Sequence, residues 1–428
     1  MPHALTELKL TAATKPATDP GHEIRADVCV VGAGIAGLSA AIESAQLGRD
    51  VVLLDSLPVI GGQMVHSLIG LFCGVFGNAP RYAQLTHGVF DDIFSDLGPS
   101  GDLHFQRGHT TTVYYNEVAL GRWLETRILS LGVRTILGTV LQQVDVCDGR
   151  IERISLASRY GNVAVTAAGF VDASGDAALT WAAGLPCWVP ERPIYGSQQV
   201  IVENVDERHK PDPAEMDARI AARGADYGLL RRGGLAFYFP GRGTAVLNVT
   251  HIEAPLDPVR ASQAQLAGKA QADGAIALLR AEFPQAFGEA RVRAYGYPGR
   301  RQTRWIKGRH QLTLDEVRAG TRFGDAVART AWPIELHDRA DGYVWETFEP
   351  DHVHYVPLRS MIPPGVHNVM AAGRCIDGDA AALSSVRVMG PCAAMGAAAA
   401  HALDLAGVGS THDIDLDRLY QRLAPNLG

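Results

Sequence analysis

Residues 26–55, ADVCVVGAGIAGLSAAIESAQLGRDVVLLD, decide how the rest of the chain is read. The apolar run VCVV predicts a parallel strand buried on both faces. Gly32, Gly34 and Gly37 then give the spacing GxGxxG. The first glycine permits the turn, the second lets backbone approach a pyrophosphate, and the third lets helix and strand pack closely. The helix IAGLSAAIESAQLG turns its first amides, those of Ile35, Ala36 and Gly37, toward the phosphates. DVVLLD predicts the next strand, and Asp55 at its end supplies a carboxylate for ribose hydroxyls. Strand, turn, helix, second strand and acid together predict a bound dinucleotide. On these residues alone NAD and FAD fit equally.

The bulk properties agree with a large α/β enzyme. At 428 residues the chain exceeds one compact core and implies two domains, one inserted in the other. Its hydrophobic content of 47% and its 46 glycines suit a soluble protein rich in tight turns. A net charge of −7 supplies no overall field for phosphate backbone, which argues against a nucleic-acid partner. No apolar run reaches about 18 residues, so no membrane span is expected. The opening MPHALTELKLTAATKPATDPGHEIR lacks the charged start and apolar core of a signal peptide, and residues 1–22 read as a flexible arm. Six cysteines are scattered without CxxC or metal-ligand spacing, which implies free thiols, a reducing cytoplasmic setting and no metal site.

The residues after Asp55 separate the two dinucleotides. In SLPVIGGQMVHSLIG, Ser56 continues the loop, and Gly61, Gly62 and Gln63 follow it. Paired glycines at this place resemble flavoproteins related to glutathione reductase, in which the chain passes against the pyrophosphate and the flavin edge. Residues 167–186, AAGFVDASGDAALTWAAGLP, resemble the strand-and-turn motif of that superfamily, here Ala173-Ser174-Gly175 followed by Asp176. Residues 367–407 resemble its final FAD motif: a strand ends in Ala-Gly-Arg, with Gly373 and Arg374, and a later helix starts near Val388, Met389 and Gly390. A helix N-terminus at that place stabilises negative charge on a reduced flavin. The resemblance therefore implies FAD as the resident cofactor.

Five blocks also resemble a narrower bacterial family of FAD-dependent oxidoreductases: GGQMVHSLIGLFCG, DASGDAAL, RRQTRWIKGRHQLTLDEVRAGTRFGDAVARTAWPIELHD, HYVPLRSMIP and AGRCIDGDAAALSSVRVMGPCAAMGAAAA. The sequence departs from that pattern at Arg304-Trp305, where paired arginines are usual, and near His66, where a threonine is common. These departures lie where substrate is expected, so no substrate carries over. The implied architecture is α/β, a Rossmann-like FAD-binding domain with an inserted α+β substrate (cap) domain. Residues 23–195 and 346–428 form the FAD-binding part and residues 196–345 the cap. Val140 falls where such flavoproteins use backbone contacts to adenine.

Candidate substrate-handling groups come from the loop after Gly62 and from the cap. His66 is a candidate base or a covalent attachment point for the flavin; Cys73 lies nearby. Arg301 and Arg304 lie in a dense basic run, and at least one is expected to bind a substrate carboxylate. In a regular strand their odd spacing would point them to opposite sides. In DHVHYVPLRSM, Tyr355 and Arg359 match the family pattern and His354, facing the same way as His352, is a candidate proton acceptor. His337 in PIELHD is a weaker candidate.

No second strand–turn–helix of the GxGxxG type is present, nor a redox CxxC. These absences favour a dehydrogenase or oxidase that takes a hydride from a small polar, or anionic, organic substrate. Oxygen, a quinone or another carrier would reoxidise the cofactor. The alternative within enzymes is an NAD(P)H-dependent flavin monooxygenase or reductase. The alternative of another class is a flavin-binding sensor or assembly protein without turnover. The sequence leaves homo-oligomer formation open.

Overall fold

The computed structural model describes residues 10–14 and 21–428, so most of the N-terminal arm lies outside the described residues. The strand His22–Val31 occupies the middle of a seven-stranded sheet. It runs parallel to Val51–Asp55, with Val30 opposite Leu53, and to Gly161–Asp172, with Val30 opposite Val171. Arg134–Leu137 and Val369–Ala371 extend the parallel part. Thr139–Cys147 and Arg150–Ser158 complete the sheet as an antiparallel meander.

The apolar run of the first strand explains why it is central. Val28 and Val30 enter one core cluster, while Cys29 and Val31 enter the cluster on the other face. A strand with apolar side chains on both faces is stable only when both are covered. On the first face lie the helices Ile35–Gln46 and Met389–Ala406. They approach so closely that a Cβ on Gly396 would sit 2.1 Å from the Ala36 carbonyl oxygen. Ser39 Oγ donates to Ala393 O at 2.8 Å across the same contact. The alanine-rich composition of the second helix is what permits this distance. Among the described residues no single helix is long and apolar enough to cross a membrane.

A third hydrophobic cluster is separate from these two. It is built on an antiparallel sheet in the order Leu235–Phe239, Thr244–Asn248, Val200–Glu203, Arg291–Tyr295. The helix Pro258–Glu282 packs on it through Ala272, Ala275, Ile276 and Leu279, one stripe of a 3.6-residue period. Asp257 caps that helix by accepting from Arg260 N at 2.8 Å. All members of this cluster fall between residues 200 and 292. Trp305, Ile306, Leu312, Val327 and Ile334 pack instead into the main core, so the separately packed part is narrower than the segment 196–345. The basic run around Arg301 and Arg304 is an irregular connection between the two, with strand geometry only from Trp305.

Two stability measurements follow. Gly396→Val places a branched side chain against the Ala36 backbone, and overpacking of this kind costs about 1–3 kcal/mol; chemical denaturation should show a lowered midpoint. Asp404 accepts from Arg422 at 2.6 Å and from Arg49 Nε at 2.6 Å. Partial burial acts against its charge, but these two guanidiniums hold its carboxyl below the usual range. A carboxyl lowered in the folded state stabilises above its unfolded pKa and loses that contribution as pH falls. Between pH 7 and pH 3 the wild type should therefore lose more stability than Asp404→Asn.

Candidate active site

A cavity of about 940 Å³ opens where the carboxyl ends of the parallel strands meet the cap. Its floor is the glycine turn. Gly32, Gly34, Ile35 and Ala36 line it, and a Cβ on Gly34 would meet nothing within 4 Å, so backbone is bare to the cavity there. Gly37 does not line it. A Cβ at Gly37 would lie 1.8 Å from the Gly32 carbonyl oxygen, so this glycine keeps the turn tight from behind.

Asp55 and Ser56 line the same end. Asp55 Oδ2 accepts from Ala33 N at 2.6 Å and Oδ1 from Leu57 N at 2.8 Å. Burial pushes its carboxyl up, and the two backbone donors oppose that shift. Gly62 and Gln63 line the cavity, whereas Gly61 anchors the loop by donating its amide to Ala33 O at 2.9 Å. Gly62 is at φ +51°, and a Cβ there would lie 2.7 Å from Gly34 Cα. Only a glycine lets these two loops touch.

Ala173, Ser174, Gly175 and Asp176 form one wall, with Gly373, Arg374, Val388 and Met389 beside them. Gly390 lies just outside the lining, its amide donating to Cys73 O at 2.9 Å. Two longer helices, Ile35–Gln46 and Met389–Ala406, start at this cavity, and neither has a side-chain cap. The amides of Ile35, Ala36 and Gly37 in the first helix, and of Met389 in the second, are the donors left for a ligand. A bare glycine backbone, two uncapped helix starts and a carboxylate beside them fit FAD. Of the cavity lining, Ile35 and Ala36 would hold the pyrophosphate, Asp55 the adenosine ribose and Val388–Met389 the flavin edge. Val140 falls elsewhere: it is 61% exposed and pairs with Ala157 in the meander.

The candidate catalytic residues separate into two groups. His66, Cys73 and Arg301 line the cavity. His66 Nε2 faces Ile60 O at 2.7 Å, a carbonyl that needs a donor, so Nδ1 is left as the acceptor of that ring. Arg304, His354, Tyr355, Arg359 and His337 are not part of the lining. Arg304 donates to Asp176 O at 3.0 Å and stacks over Trp181, so it braces the Ala-Ser-Gly turn from outside. His354 is fully buried, between His352 at 3.1 Å and Ser385 Oγ at 2.8 Å, and burial pushes its imidazole down to about 3. Arg322 donates to the Tyr355 hydroxyl, and Arg359 makes a two-pronged pair with Asp325 at 2.9 and 3.3 Å. The strand His354–Pro357 pairs with Ala326–Thr330, which buries His354 and Tyr355 there, while Arg359 follows the strand and is exposed.

In their place the fold supplies three lining groups that the motifs did not mark: Arg231, Glu335 and Arg387. Arg231 is 3% exposed, donates to Asn248 O at 3.1 Å and lies 4.7 Å over the Tyr343 ring. Arg387 donates to Glu335 O at 3.0 Å. Burial pulls the guanidiniums of Arg231, Arg301 and Arg387 downward, that of Arg301 to about 9, with Glu335 opposing in each case. Arginine keeps its proton in proteins, so all three are cations. Burial resists the charge of Glu335, but His337, Arg387 and Arg301 prevail and hold its carboxyl well below the usual range. Trp332, Tyr343 and Trp345 form an aromatic wall around these charges.

Arg231 Nε, Arg387 Nε, Gln199 Oε1 and Thr303 Oγ1, all on lining residues, have no hydrogen-bond partner in the protein. Buried polar atoms without partners are uncommon, and these four sit on side chains that also line the cavity. Arg387 had a readable signal, two residues ahead of the helix motif at Met389. Arg231, in the string LLRRGGLAF, had none.

Removing the Asp55 carboxylate should weaken the cofactor end. A hydrogen bond to a charged group is worth about 1.5–3 kcal/mol, so Asp55→Ala should hold FAD roughly 10- to 100-fold less tightly in a fluorescence titration.

Stretches of the chain are similar to two curated proteins. A 56-residue segment is 42% identical to a ferredoxin–NADP reductase of Paraburkholderia xenovorans, covering 13% of this chain and 16% of that protein. An 88-residue segment is 40% identical to a urocanate reductase of Eggerthella lenta, covering 21% and 14%. The chain thus spans about one sixth of the length of these relatives. Among solved structures, a geranylgeranyl bacteriochlorophyll reductase-like protein of Thermoplasma acidophilum is 14% identical, with a TM-score of 0.49 over 95% of this chain and 83% of that one. CabE, an aromatic hydroxylase from angucycline biosynthesis, is 14% identical with a TM-score of 0.45 over 94% and 68%. Residues 27–423 match the profile of the family described as FAD dependent oxidoreductase, and with the dinucleotide cradle above, the chain belongs to that family.

Proposed function

We propose that this chain is an FAD-dependent dehydrogenase or oxidase that takes a hydride and a proton from a small, planar, anionic organic molecule. One observation carries this: Arg231, Arg301 and Arg387 share with Trp332, Tyr343 and Trp345 the cavity in which the dinucleotide cradle ends. Three guanidiniums against the single carboxylate of Glu335 leave an excess of positive charge for a ligand anion. The aromatic wall favours a flat ligand body. A desolvated guanidinium grips a carboxylate more strongly than an exposed one.

Bound FAD supplies a two-electron acceptor for hydride. The protein's own part is to orient and to move protons. The arginines fix the anionic end, which sets the position of the carbon to be oxidised. His66, with Nε2 committed to Ile60 O, presents Nδ1 as the acceptor for the proton that leaves the substrate hydroxyl or amine. The helix beginning at Met389 offers the Met389 amide and its dipole to charge that develops at its N-terminus. The order of motifs supports membership of the glutathione-reductase-like flavoproteins, and the reoxidant is oxygen, a quinone or another carrier.

Anaerobic mixing of the holoprotein with hydroxy- and amino-carboxylates should bleach the flavin band, while NADPH alone should leave it unchanged. Bleaching by NADPH alone would overturn this reading in favour of a monooxygenase or reductase. With benzoate as an anionic probe, Arg301→Ala or Arg387→Ala should weaken binding at least about tenfold, the equivalent of 1.4 kcal/mol.

A further inference from the structure

Behind the arginine wall, Glu335 begins a chain of hydrogen bonds that runs away from the cavity. Glu335 Oε1 lies 2.9 Å from His337 Nε2. His337 Nδ1 lies 2.8 Å from His251 Nε2, and His251 Nδ1 lies 2.9 Å from Ala340 O. His251 is 0% exposed and His337 is 1% exposed. Tyr343 stacks on His337 at 4.5 Å and Tyr195 on His251 at 5.5 Å, so neither ring is free to turn.

The protons in this chain can be counted. A carbonyl oxygen only accepts, so His251 Nδ1 must carry a proton. The bond between the two rings needs one proton. If Glu335 is ionised it also only accepts, so His337 Nε2 must carry a third. Two neutral imidazoles own two protons between them, and three contacts need three. The third proton has one other place: on Glu335 Oε1, with the carboxyl donating to His337 Nε2 and both rings neutral. Without it, two lone pairs would face each other at hydrogen-bond distance inside the protein, a cost of the order of 1–3 kcal/mol for an unsatisfied buried group.

We propose that Glu335, His337 and His251 form a relay that stores one proton and delivers it, through Glu335 Oε1, to the ligand in the cavity. The step is a single hop: the His337 Nε2–H bond breaks, the Glu335 Oε1–H bond forms, and the imidazolium becomes a neutral ring. When the charge is on His251, its Nε2 proton first passes to His337 Nδ1. No electrons move, and the assembly is neutral in either state. Delivery then breaks the Glu335 Oε1–H bond and forms an O–H bond on the ligand's carboxylate, which leaves Glu335 ionised, both rings neutral and the relay one proton short. The groups facing it set the balance. Burial and the guanidiniums of Arg301, Arg231 and Arg387 push the two rings toward neutrality, which drives the proton outward. The same guanidiniums, with His337, favour an ionised Glu335, which draws it back. Tyr343, Tyr195 and Trp332 are the neutral neighbours; Trp332 Nε1 donates to Glu335 Oε2 at 3.2 Å and keeps that oxygen out of the relay. His66 accepts a proton and Glu335 returns one, so oxidation of the substrate and protonation of a product or reoxidant use different groups.

This proposal rests on the cavity being the reaction site, but its first test needs no substrate. Holoprotein with ¹⁵N-labelled histidine and ¹³C-labelled glutamate is examined at pH 7 by NMR and isotope-edited infrared spectroscopy. His251→Gln, His337→Gln and Glu335→Gln assign the signals. The expected result is three N–H protons on the two rings, or two with a protonated-carboxyl band that vanishes in Glu335→Gln. Two neutral rings beside an ionised Glu335 would overturn the proposal, and the wild-type count decides even if a variant fails to fold. Benzoate is then added. An anion beside Glu335 should draw the proton onto it, so the carboxyl band should grow in wild type and not in His337→Gln. A band unchanged by bound benzoate would confine the proton to the histidines and overturn the delivery. If benzoate does not bind at all, the anion site fails while the proton count stands.

Discussion

The site depends on one contact, the carboxylate of Asp55 held between the amides of Ala33 and Leu57. It ties the glycine turn to the loop after the second strand. The Gly61 amide on Ala33 O closes the same joint from the other side. Because the joint is closed, Gly62 can lie against Gly34 and both glycine loops present bare backbone to one cavity. The Ile35–Gln46 helix starts directly from this corner.

Charge is arranged differently at the other end of the cavity. The cofactor end combines neutral backbone donors with the Asp55 carboxylate and the buried Arg374 guanidinium. The wall formed by Arg231, Arg301 and Arg387 relies on full charges taken out of water, opposed by one carboxylate. Buried charge of this kind is costly unless paired. In the proposed function, an anionic ligand offsets this charge. Glu335 links this wall to the histidine pair behind it, so ligand charge and proton position are coupled through one side chain.

The cofactor end was legible because its requirements are local. Turn, close approach and ribose carboxylate each demand a residue type at a fixed spacing, and Gly32, Gly34, Gly62, Asp55 and Gly175 meet those demands. The substrate end was legible only in part. Arg301 and His66 lie beside motifs and line the cavity, but His354, Tyr355 and Arg359 do not. The strand that carries His354 and Tyr355 pairs with Ala326–Thr330, and Arg359 just after it pairs with Asp325, partners that local pattern does not reveal.

The amino-acid sequence by itself determined the Rossmann-like turn, the α/β class and the nucleotide cradle, because glycine stereochemistry and a strand apolar on both faces leave little choice. Tertiary structure alone decided which charges meet. Arg231 from the cap, Arg301 from the connection and Glu335 and Arg387 from the returning chain are separated by up to 156 positions. The pairing of His251 with His337 spans 86. A buried charge is tolerated only where partners from other elements converge on it, and that convergence is a property of packing.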